Sequence, residues 1–143
     1  MEYSNISIDN NRVVVDVFKT DILTIGAQNK VLELLMPDYI RGLSILGCNP
    51  TDKENEEELI RFVERVRYYY EDRKDIWIWS GHTWEQLIKE NKDKLVSLCD
   101  VLVDGPFIEA KKDLALPFRG SSNQRIIDIK KSLESGKVVE ITL

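Results

Sequence analysis

The stretch DVLVDGP at residues 100–106 decides the fold class. Its centre is apolar without any alternation, which is typical of a strand that is buried on both faces of a parallel sheet, and the Gly-Pro pair then ends it. Similar apolar runs lie at residues 12–18, 40–46 and 75–79, and segments with helical periodicity separate them. The sequence therefore predicts an α/β fold with an open, mostly parallel sheet and outer helices.

The segments between these strands predict three helices. Residues 28–36 have the apolar face of a helix, and Pro37 ends that helix. Another helix begins at residue 83. The longest helix is expected to open with a capping box formed by Thr51 and Glu54 and to run to about residue 70. Its apolar face comprises Leu59, Phe62, Val63, Val66 and Tyr70. Residues 125–129 and 138–142 predict two more short strands, joined by a helical turn that Gly136 ends.

The composition is that of an ordinary globular domain. The length of 143 residues predicts one domain, residues 1–143, without a linker or repeat. The net charge of −5 gives no basic field that would attract nucleic acid or an anionic membrane. No apolar run approaches the roughly 18 residues of a membrane span. The first residues lack the basic and apolar regions of a secretory signal, so we expect a cytoplasmic protein.

The carboxyl ends of the strands are where ligand sites lie in parallel α/β sheets. This rule selects four connections, at residues 19–27, 47–50, 80–82 and 104–106. No phosphate-binding loop of the GxxxxGK[ST] or GxGxxG type is present. We therefore expect a pocket at this edge of the sheet, and no motif within it assigns a nucleotide.

The segment FRGSSNQR at residues 118–125 resembles the C-terminal signature of the activating proteins of the anaerobic ribonucleotide reductase, which are radical S-adenosylmethionine enzymes. MPDYIRGL at residues 36–43, KDIWIWSG at residues 74–81 and DVLVDGPF at residues 100–107 are similar to the strands of that family, in the same order. The resemblance extends over residues 31–139. It implies a trimmed, radical-SAM-like partial (β/α) barrel, and for the family a [4Fe-4S] cluster and S-adenosylmethionine.

The departures from the family pattern lie where its cofactors bind. The family's first strand leads into a C-x3-C-x2-C loop, but residues 19–27 contain no cysteine, and the glycine-rich stretch before that strand is reduced to residues 9–12. The Gly-Gly-Glu/Asp-Pro motif, which holds the amino group of the cofactor, is replaced by Gly-Cys-Asn-Pro at residues 47–50. The resemblance thus implies a remnant cofactor pocket that comprises Gly47, Asn49, Ser80, Gly81, His82 and Asp104.

The two cysteines do not replace the missing cluster ligands. Cys48 follows the carboxyl end of one predicted strand and Cys99 precedes the amino end of another, so they are roughly 15 Å apart for a five-residue strand. That separation excludes a shared metal ion and also a disulfide, which needs Cα atoms within about 7 Å. Each cysteine is interpreted as a small buried apolar residue. We therefore expect no cluster, no other metal and no catalytic residue.

Several candidate residues allow two interpretations. His82 and Asp104 either contact a ligand or cap their turns. The three tryptophans, Trp77, Trp79 and Trp84, are interpreted as core or rim residues. The loop of Arg119, Gly120, Ser121, Ser122, Asn123 and Gln124 is either a polar surface turn or a loop that contacts a ligand or partner. In the second case Arg119 is suited to bind a carboxylate or phosphate with two hydrogen bonds.

Three hypotheses for function follow. In the first, the chain is a catalytically inactive relative of the activase that binds the anaerobic reductase or its activator and modulates it. In the second, it is an enzyme that still binds S-adenosylmethionine or a nucleotide in the remnant pocket. In the third, it is an engineered or decayed chain with its loop deleted and no activity. No hypothesis involves nucleic acid or a membrane, and the sequence leaves the oligomeric state open.

Overall fold

The structure, a computed structural model, describes residues 5–17, 24–47 and 53–142. Its strands are β1 (Ile6–Asp9), β2 (Arg12–Val17), β3 (Gly42–Gly47), β4 (Asp75–Trp79), β5 (Val101–Asp104) and β6 (Arg125–Asp128). Its helices are α1 (Ile25–Leu34), α2 (Lys53–Tyr70), α3 (Trp84–Lys89), α4 (Asp93–Ser97) and α5 (Ile129–Ser135), with a 3-10 turn at Glu109–Lys111.

The six strands form one sheet in the order β1-β2-β3-β4-β5-β6. Strands β2 to β5 run parallel, and the two outer strands, β1 and β6, pair antiparallel with their neighbours. Each parallel pair is joined by a crossover that contains a helix, as parallel pairing requires. The predicted α/β class with a mostly parallel sheet is thus confirmed.

Strand β1 was not predicted. It forms a hairpin with β2 through Asn10 and Asn11, whose φ angles are 53° and 60°. Positive φ at both central residues is the geometry of the two-residue turn that fits the twist of a hairpin, and asparagine tolerates it better than most residues. The Asn-Asn pair is therefore a local turn signal that the sequence analysis did not use.

The helix-packed face of the sheet carries the main core. Alternate strand residues point into this layer and are fully buried: Val13, Val15, Leu43, Ile45, Ile76, Ile78, Leu102 and Ile127. The predicted face of α2 lies against them, with Leu59, Phe62, Val63 and Val66 buried and Tyr70 packed at its edge. This layer determines which strand residues face the opposite side.

The helix boundaries differ in two places from those predicted. Helix α1 begins at Ile25 rather than at residue 28, because the Thr24 hydroxyl accepts a hydrogen bond from Ala27 N at 3.1 Å and caps the helix. The predicted capping box of α2 lies outside the described residues. A complete capping box occurs instead at α3, where Thr83 and Gln86 bond each other's backbone N–H groups.

The C-terminal segment is only partly as predicted. Helix α5 ends at Gly136, which has a φ of 77°, as expected for a glycine at a helix C terminus. The strand predicted at residues 138–142 is wrong, because the segment makes a single bridge, from Glu140 to Ile127. No helix among the described residues is both long and apolar enough to cross a membrane.

Candidate functional site

A cavity of about 820 Å³ lies over the face of the sheet that the helices leave uncovered. Its floor includes the strand residues Arg12, Val14 and Ser44. Its rim includes Trp79, Phe107 and Phe118 and, near the carboxyl ends of the strands, Ser80, Gly81 and Gly105. The size is within the range of small-molecule sites, and the lining combines aromatic rings with a few polar groups, as such sites do.

Arg12 is the only basic residue that lines this cavity within the described part of the chain. Its Nε donates to Ser44 Oγ and its Nη2 to Leu43 O, both at 2.8 Å. Its guanidinium lies 5.4 Å from the centre of the Trp77 ring, and Nη2 lies 2.6 Å from Asp75 Oδ1, an ion pair that is not aligned as a hydrogen bond. Arg12 is thus fixed in place on a face that is otherwise open.

Gly42 has no side chain and therefore leaves room for Asp75, the partner of Arg12 in the ion pair. A Cβ atom at Gly42 would lie 2.1 Å from Asp75 O and 2.2 Å from Asp75 Oδ1. The close approach of the β4 backbone therefore requires a residue without a side chain at this position.

The signature loop, residues 118–125, is held by its own side chains. Gln124 Oε1 accepts from Gly120 N at 2.9 Å and from Ser121 N at 3.1 Å. Gln124 Nε2 and Asn123 Nδ2 then donate to Gly105 O and Pro106 O, which follow β5. Because these amides satisfy backbone groups, they fix the loop against the turn after β5.

The loop also positions the aromatic rim. Trp79 Nε1 donates to Phe118 O at 2.8 Å, and the Phe118 ring centre lies 4.9 Å from that of Trp77. Phe118 has a φ of 62°, which is uncommon for an aromatic residue. Phe107 packs against Gly120, where a Cβ atom would lie 2.9 Å from the ring. The residues that the sequence analysis assigned to a possible partner loop therefore also shape the cavity wall.

Asp104 is at the carboxyl end of β5 but does not line the cavity. It is 1% exposed, and its Oδ2 accepts from Trp84 N at 2.8 Å, at the first turn of α3. Arg125 donates to both of its oxygens, and the same guanidinium contacts Glu85 at 2.6 Å. The hydrogen bonding that Arg125 donates to the Asp104 carboxylate is the main cause that raises the pKa of Arg125. The structure thus places Asp104 in an ion network that joins α3, β5 and β6.

Of the other predicted pocket residues, some line the cavity and others do not. Ser80 and Gly81 line the cavity. His82 lies beside it and contributes to the turn, with its N–H donating to Ser80 Oγ and its carbonyl accepting from Gly105 N, both at 3.0 Å. Gly47 ends β3. Asn49, like Cys48, lies outside the described residues.

Cys99 does not fit the ligand role that an iron-sulfur cluster requires. It is 5% exposed, it precedes the first residue of β5, and its Sγ contacts Leu95 O at 3.5 Å inside the helix layer. Burial raises the pKa of the Cys99 thiol to about 12, whereas cluster ligands are thiolates. Within the described residues, no group of three His, Cys, Asp or Glu side chains could hold a metal ion. Of the two cysteines, the one in the described part of the chain, Cys99, therefore does not fit the role of a cluster ligand.

Several cavity residues were not identified from the sequence. Arg12 and Ser44 are each within an apolar strand, and Phe107 and Phe118 are in a polar connection. The alternation of Arg12 and Val14 with fully buried valines was the available signal, because it marks one face of β2 as different from the other. Ser7 and Asn10 were missed because the hairpin itself was missed.

Comparisons with known proteins agree on one family. The family model for a 4Fe-4S single cluster domain matches residues 10–127. The anaerobic ribonucleoside-triphosphate reductase-activating protein of Haemophilus influenzae is 42% identical over 86 residues, which are 60% of this chain and 54% of that protein. Its namesake from Escherichia coli K12 is 38% identical over 84 residues, or 59% of this chain and 53% of that protein.

A phage protein extends the match further along the chain. The protein of the same name from Enterobacteria phage T4 is 28% identical over 116 residues, which are 81% of this chain and 71% of that protein. The chain spans about half the length of the bacterial relatives it matches. No solved structure matches the chain at a comparable level of significance.

Proposed function

The chain belongs to the 4Fe-4S single cluster domain family and is homologous to the anaerobic ribonucleoside-triphosphate reductase-activating proteins, and from this premise we propose that it is a partner-binding relative without a cluster. In this proposal it is catalytically inactive, keeps a trimmed form of the family's partial barrel, and modulates the anaerobic reductase or its activator. The long match to the family supports a retained scaffold, and the chemistry of the thiols supports the loss of the radical reaction.

The observation that carries this proposal is that the chain has too few cysteines to hold the family's cluster. The family's cluster takes three cysteines from one loop, and this chain has two cysteines in all, neither of them between residues 18 and 24. Cys99 is buried with a raised pKa, in the helix layer rather than in the cavity. A scaffold that keeps its signature loop and lacks the cluster ligands is suited to binding, because binding needs only the surface.

Anaerobic reconstitution tests the first half of the proposal. The purified chain is incubated with iron, sulfide and a thiol reductant and is then desalted, with the Escherichia coli activating protein treated in parallel as the positive control. We expect iron and sulfide near zero and no charge-transfer absorption for this chain, while the control binds a cluster. Four iron atoms per chain, together with cleavage of S-adenosylmethionine, would overturn the proposal.

A binding assay tests the second half. The immobilised chain is exposed to an anaerobic extract and to the purified reductase and activator, and the retained proteins are identified. We expect one of these two proteins to be retained and the other proteins of the extract to be lost on washing. Failure to retain either component from the extract and in purified form would count against a role in this system.

One observation favours a second candidate, an enzyme or sensor that binds S-adenosylmethionine or a nucleotide. The cavity of about 820 Å³ offers aromatic rings at Trp79, Phe107 and Phe118 and hydroxyl groups at Ser7 and Ser44, which suit a nucleoside. Calorimetric titration with S-adenosylmethionine, its cleavage products and nucleotides tests this candidate. A saturable heat that a Ser44→Phe variant loses supports it, and flat titrations across the panel remove it.

A further inference from the structure

Strand β1 leaves one edge of the sheet open. It is the outermost strand, and within the described part of the chain no other segment pairs with its outer side. The opposite edge is covered by the C-terminal segment, because Asp128 N donates to Val139 O at 2.8 Å and Ile141 N donates to Ile126 O at 2.8 Å. An open edge presents backbone N–H and C=O groups that another strand can bind.

The hydrogen-bond pattern of the hairpin determines which backbone groups face this edge. Asp16 N donates to Asn5 O at 2.8 Å, so these two residues form a hydrogen-bonded pair, and the pattern alternates from there along β1. Ile6 and Ile8 are therefore in non-hydrogen-bonded pairs with residues of β2. Their N–H and C=O groups thus point away from β2, toward the open edge.

The side chains of β1 differ between the two faces of the sheet. Ser7 and Asp9 line the cavity, whereas Ile6 packs against the core of the helix-covered face. Ile8 points to that same face by alternation, yet it is 50% exposed, so the helix layer leaves it partly uncovered. Sheet edges are usually protected by proline, lysine or a bulge, and β1 has none of these. The strand is therefore suited to pair with another strand.

The strand is complementary to a second copy of itself. When two copies of β1 run antiparallel about a two-fold axis at Ser7, Ile6 of each copy is opposite Ile8 of the other. These are the residues whose backbone groups point to the open edge, so the two copies can exchange hydrogen bonds through them. On the helix-covered face each Ile8 then packs on an Ile6. On the cavity face Asp9 is opposite Asn5, an amide rather than a like charge.

We propose that two copies of this chain form a symmetric dimer in which their β1 strands pair antiparallel, with Ser7 at the two-fold axis. A register centred on Ile8 would instead place Ile6 opposite Asn10, whose φ of 53° takes it out of the strand. Since Ser7 lines the cavity, Ser7 of the second copy borders the same cavity. The dimer goes beyond the proposed function and is independent of it, because the pairing needs no other protein.

The paired surface is small, and its size determines how the dimer behaves. Two short strands bury less than the roughly 1,200 Å² that is typical of stable complexes. Each chain also carries a net charge of −5, which opposes association. We therefore expect a reversible dimer whose population rises with protein concentration.

A disulfide at the two-fold axis tests the register. In a Cys48→Ser background, Ser7→Cys places two thiols in a non-hydrogen-bonded pair, whose Cα atoms are about 4.5 Å apart, within the range that a disulfide needs. Asp9→Cys is the matched control, because it is on the same face of the same strand and lies more than about 13 Å from its equivalent in this register. We expect mild oxidation to convert Ser7→Cys, and not Asp9→Cys, into a covalent dimer on a non-reducing gel.

Two results of this experiment would overturn the proposal. Equal cross-linking of the two variants would mean that the copies meet by chance collision. A Ser7→Cys protein that stays monomeric, although maleimide labels its thiol in the native state, would mean that the thiol is accessible and has no second copy beside it.

Sedimentation equilibrium of the wild-type chain, from micromolar to near-millimolar concentration, tests the dimer itself. We expect the average mass to rise from the 16.6 kDa of one chain toward twice that value. Ile8→Lys should weaken the association at least about tenfold, because a charged side chain replaces the apolar contact with Ile6 at the sheet edge. Ile88→Lys is the matched control on α3, where the isoleucine is 40% exposed, and it should leave the association unchanged.

Circular dichroism of both lysine variants shows whether they keep the wild-type fold, as their exposed positions lead us to expect. A wild type that remains a monomer at every concentration would overturn the proposal. Equal association constants for Ile8→Lys and the wild type, or equal weakening by the two lysine variants, would exclude β1 as the interface.

Discussion

The two faces of the sheet are built from different residues of the same strands. On the helix-covered face, alternate residues such as Val15, Ile45 and Ile78 are aliphatic and fully buried. On the cavity face, the intervening positions hold Arg12, Ser44 and Trp77. Strand residues that face the helix layer are apolar, apart from the Asp104–Arg125 ion pair, because burying an unpaired polar group costs free energy, whereas the cavity face keeps several polar groups. The second face therefore carries the candidate functional site.

The same contrast separates two kinds of buried charge. Asp104 is enclosed by α3 and β6, where it accepts from Trp84 N and Arg125. Arg12 is as deeply placed but faces a cavity and keeps contact with Ser44 and Trp77. The enclosed network joins α3, β5 and β6, whereas Arg12 lines the cavity and is paired there with Asp75.

The largest effect is expected for Asp104→Asn. The change keeps the shape but removes the charge that Arg125 faces inside the protein, so the free energy of unfolding should fall by about 3 kcal/mol. Denaturant unfolding followed by circular dichroism measures it. Glu85→Gln is the matched control at the exposed end of the same network, where we expect a loss of less than about 1 kcal/mol. Equal losses would mean that Asp104 is not enclosed.

Two glycines test how each part of the cavity face is shaped. Gly42→Ala places a methyl group against the β4 backbone, which cannot move without separating two central strands. We therefore expect the free energy of unfolding to fall by about 2.5 kcal/mol. The methyl group of Gly120→Ala would be too close only to the Phe107 ring, which is half exposed and can turn away, so we expect the free energy of unfolding to fall by less than about 1 kcal/mol. Thermal unfolding of both variants checks the order, and a reversed order would contradict the β3–β4 approach.

A pair of neighbouring valines compares the two faces within one strand. Val15 is fully buried in the helix layer, and Val14 lines the cavity. Val15→Ala should lower the free energy of unfolding by about 2 kcal/mol, from two lost methylene equivalents and the space they leave. Val14→Ala removes the same atoms from a partly exposed position and should cost less than about 1 kcal/mol. Equal costs would mean that the cavity is closed in solution.

The sequence predicted the helix layer well because burial leaves a periodic signal. The apolar runs of the parallel strands and the face of α2 were correct, since each of those positions must exclude water. The family signature was also recognisable, but its physical role was not. Nothing in the order of residues 118–125 shows that Gln124 bonds two N–H groups of its own loop or that Arg119 Nε has no partner. Those facts depend on contacts between distant segments.

The errors have local causes. The hairpin of β1 and β2 was missed because the Asn-Asn pair was interpreted as a shortened glycine-rich stretch. Apolar and polar side chains alternate enough in residues 138–142 to predict a strand. After α5, however, this segment makes only one β-bridge to β6. Asp104 is not among these errors, because it was predicted either to contact a ligand or to cap its turn, and in the structure its carboxylate accepts from Trp84 N on the face opposite the cavity.

The effect that is smallest at pH 8 concerns Cys99, and it grows as the pH rises. Burial raises the pKa of this thiol to about 12, above its value near 8.5 in an unfolded chain. A raised pKa in the folded state means that its contribution to stability is present below about pH 8.5 and declines as pH rises toward the folded pKa, by up to about 1.4 kcal/mol per pH unit. Denaturant unfolding between pH 8 and pH 10.5 measures the slope.

The Cys99→Ala variant supplies the control, because every other titrating group is kept and only the difference between the two slopes belongs to this thiol. The variant is expected to be less stable at pH 8 and to approach the wild type as the pH rises. Iodoacetamide should also leave native Cys99 unmodified at pH 8, since the reactive thiolate is nearly absent in the folded state. Rapid alkylation, or parallel slopes for the two proteins, would mean that Cys99 ionises easily and would reopen the case for a thiolate ligand in this chain.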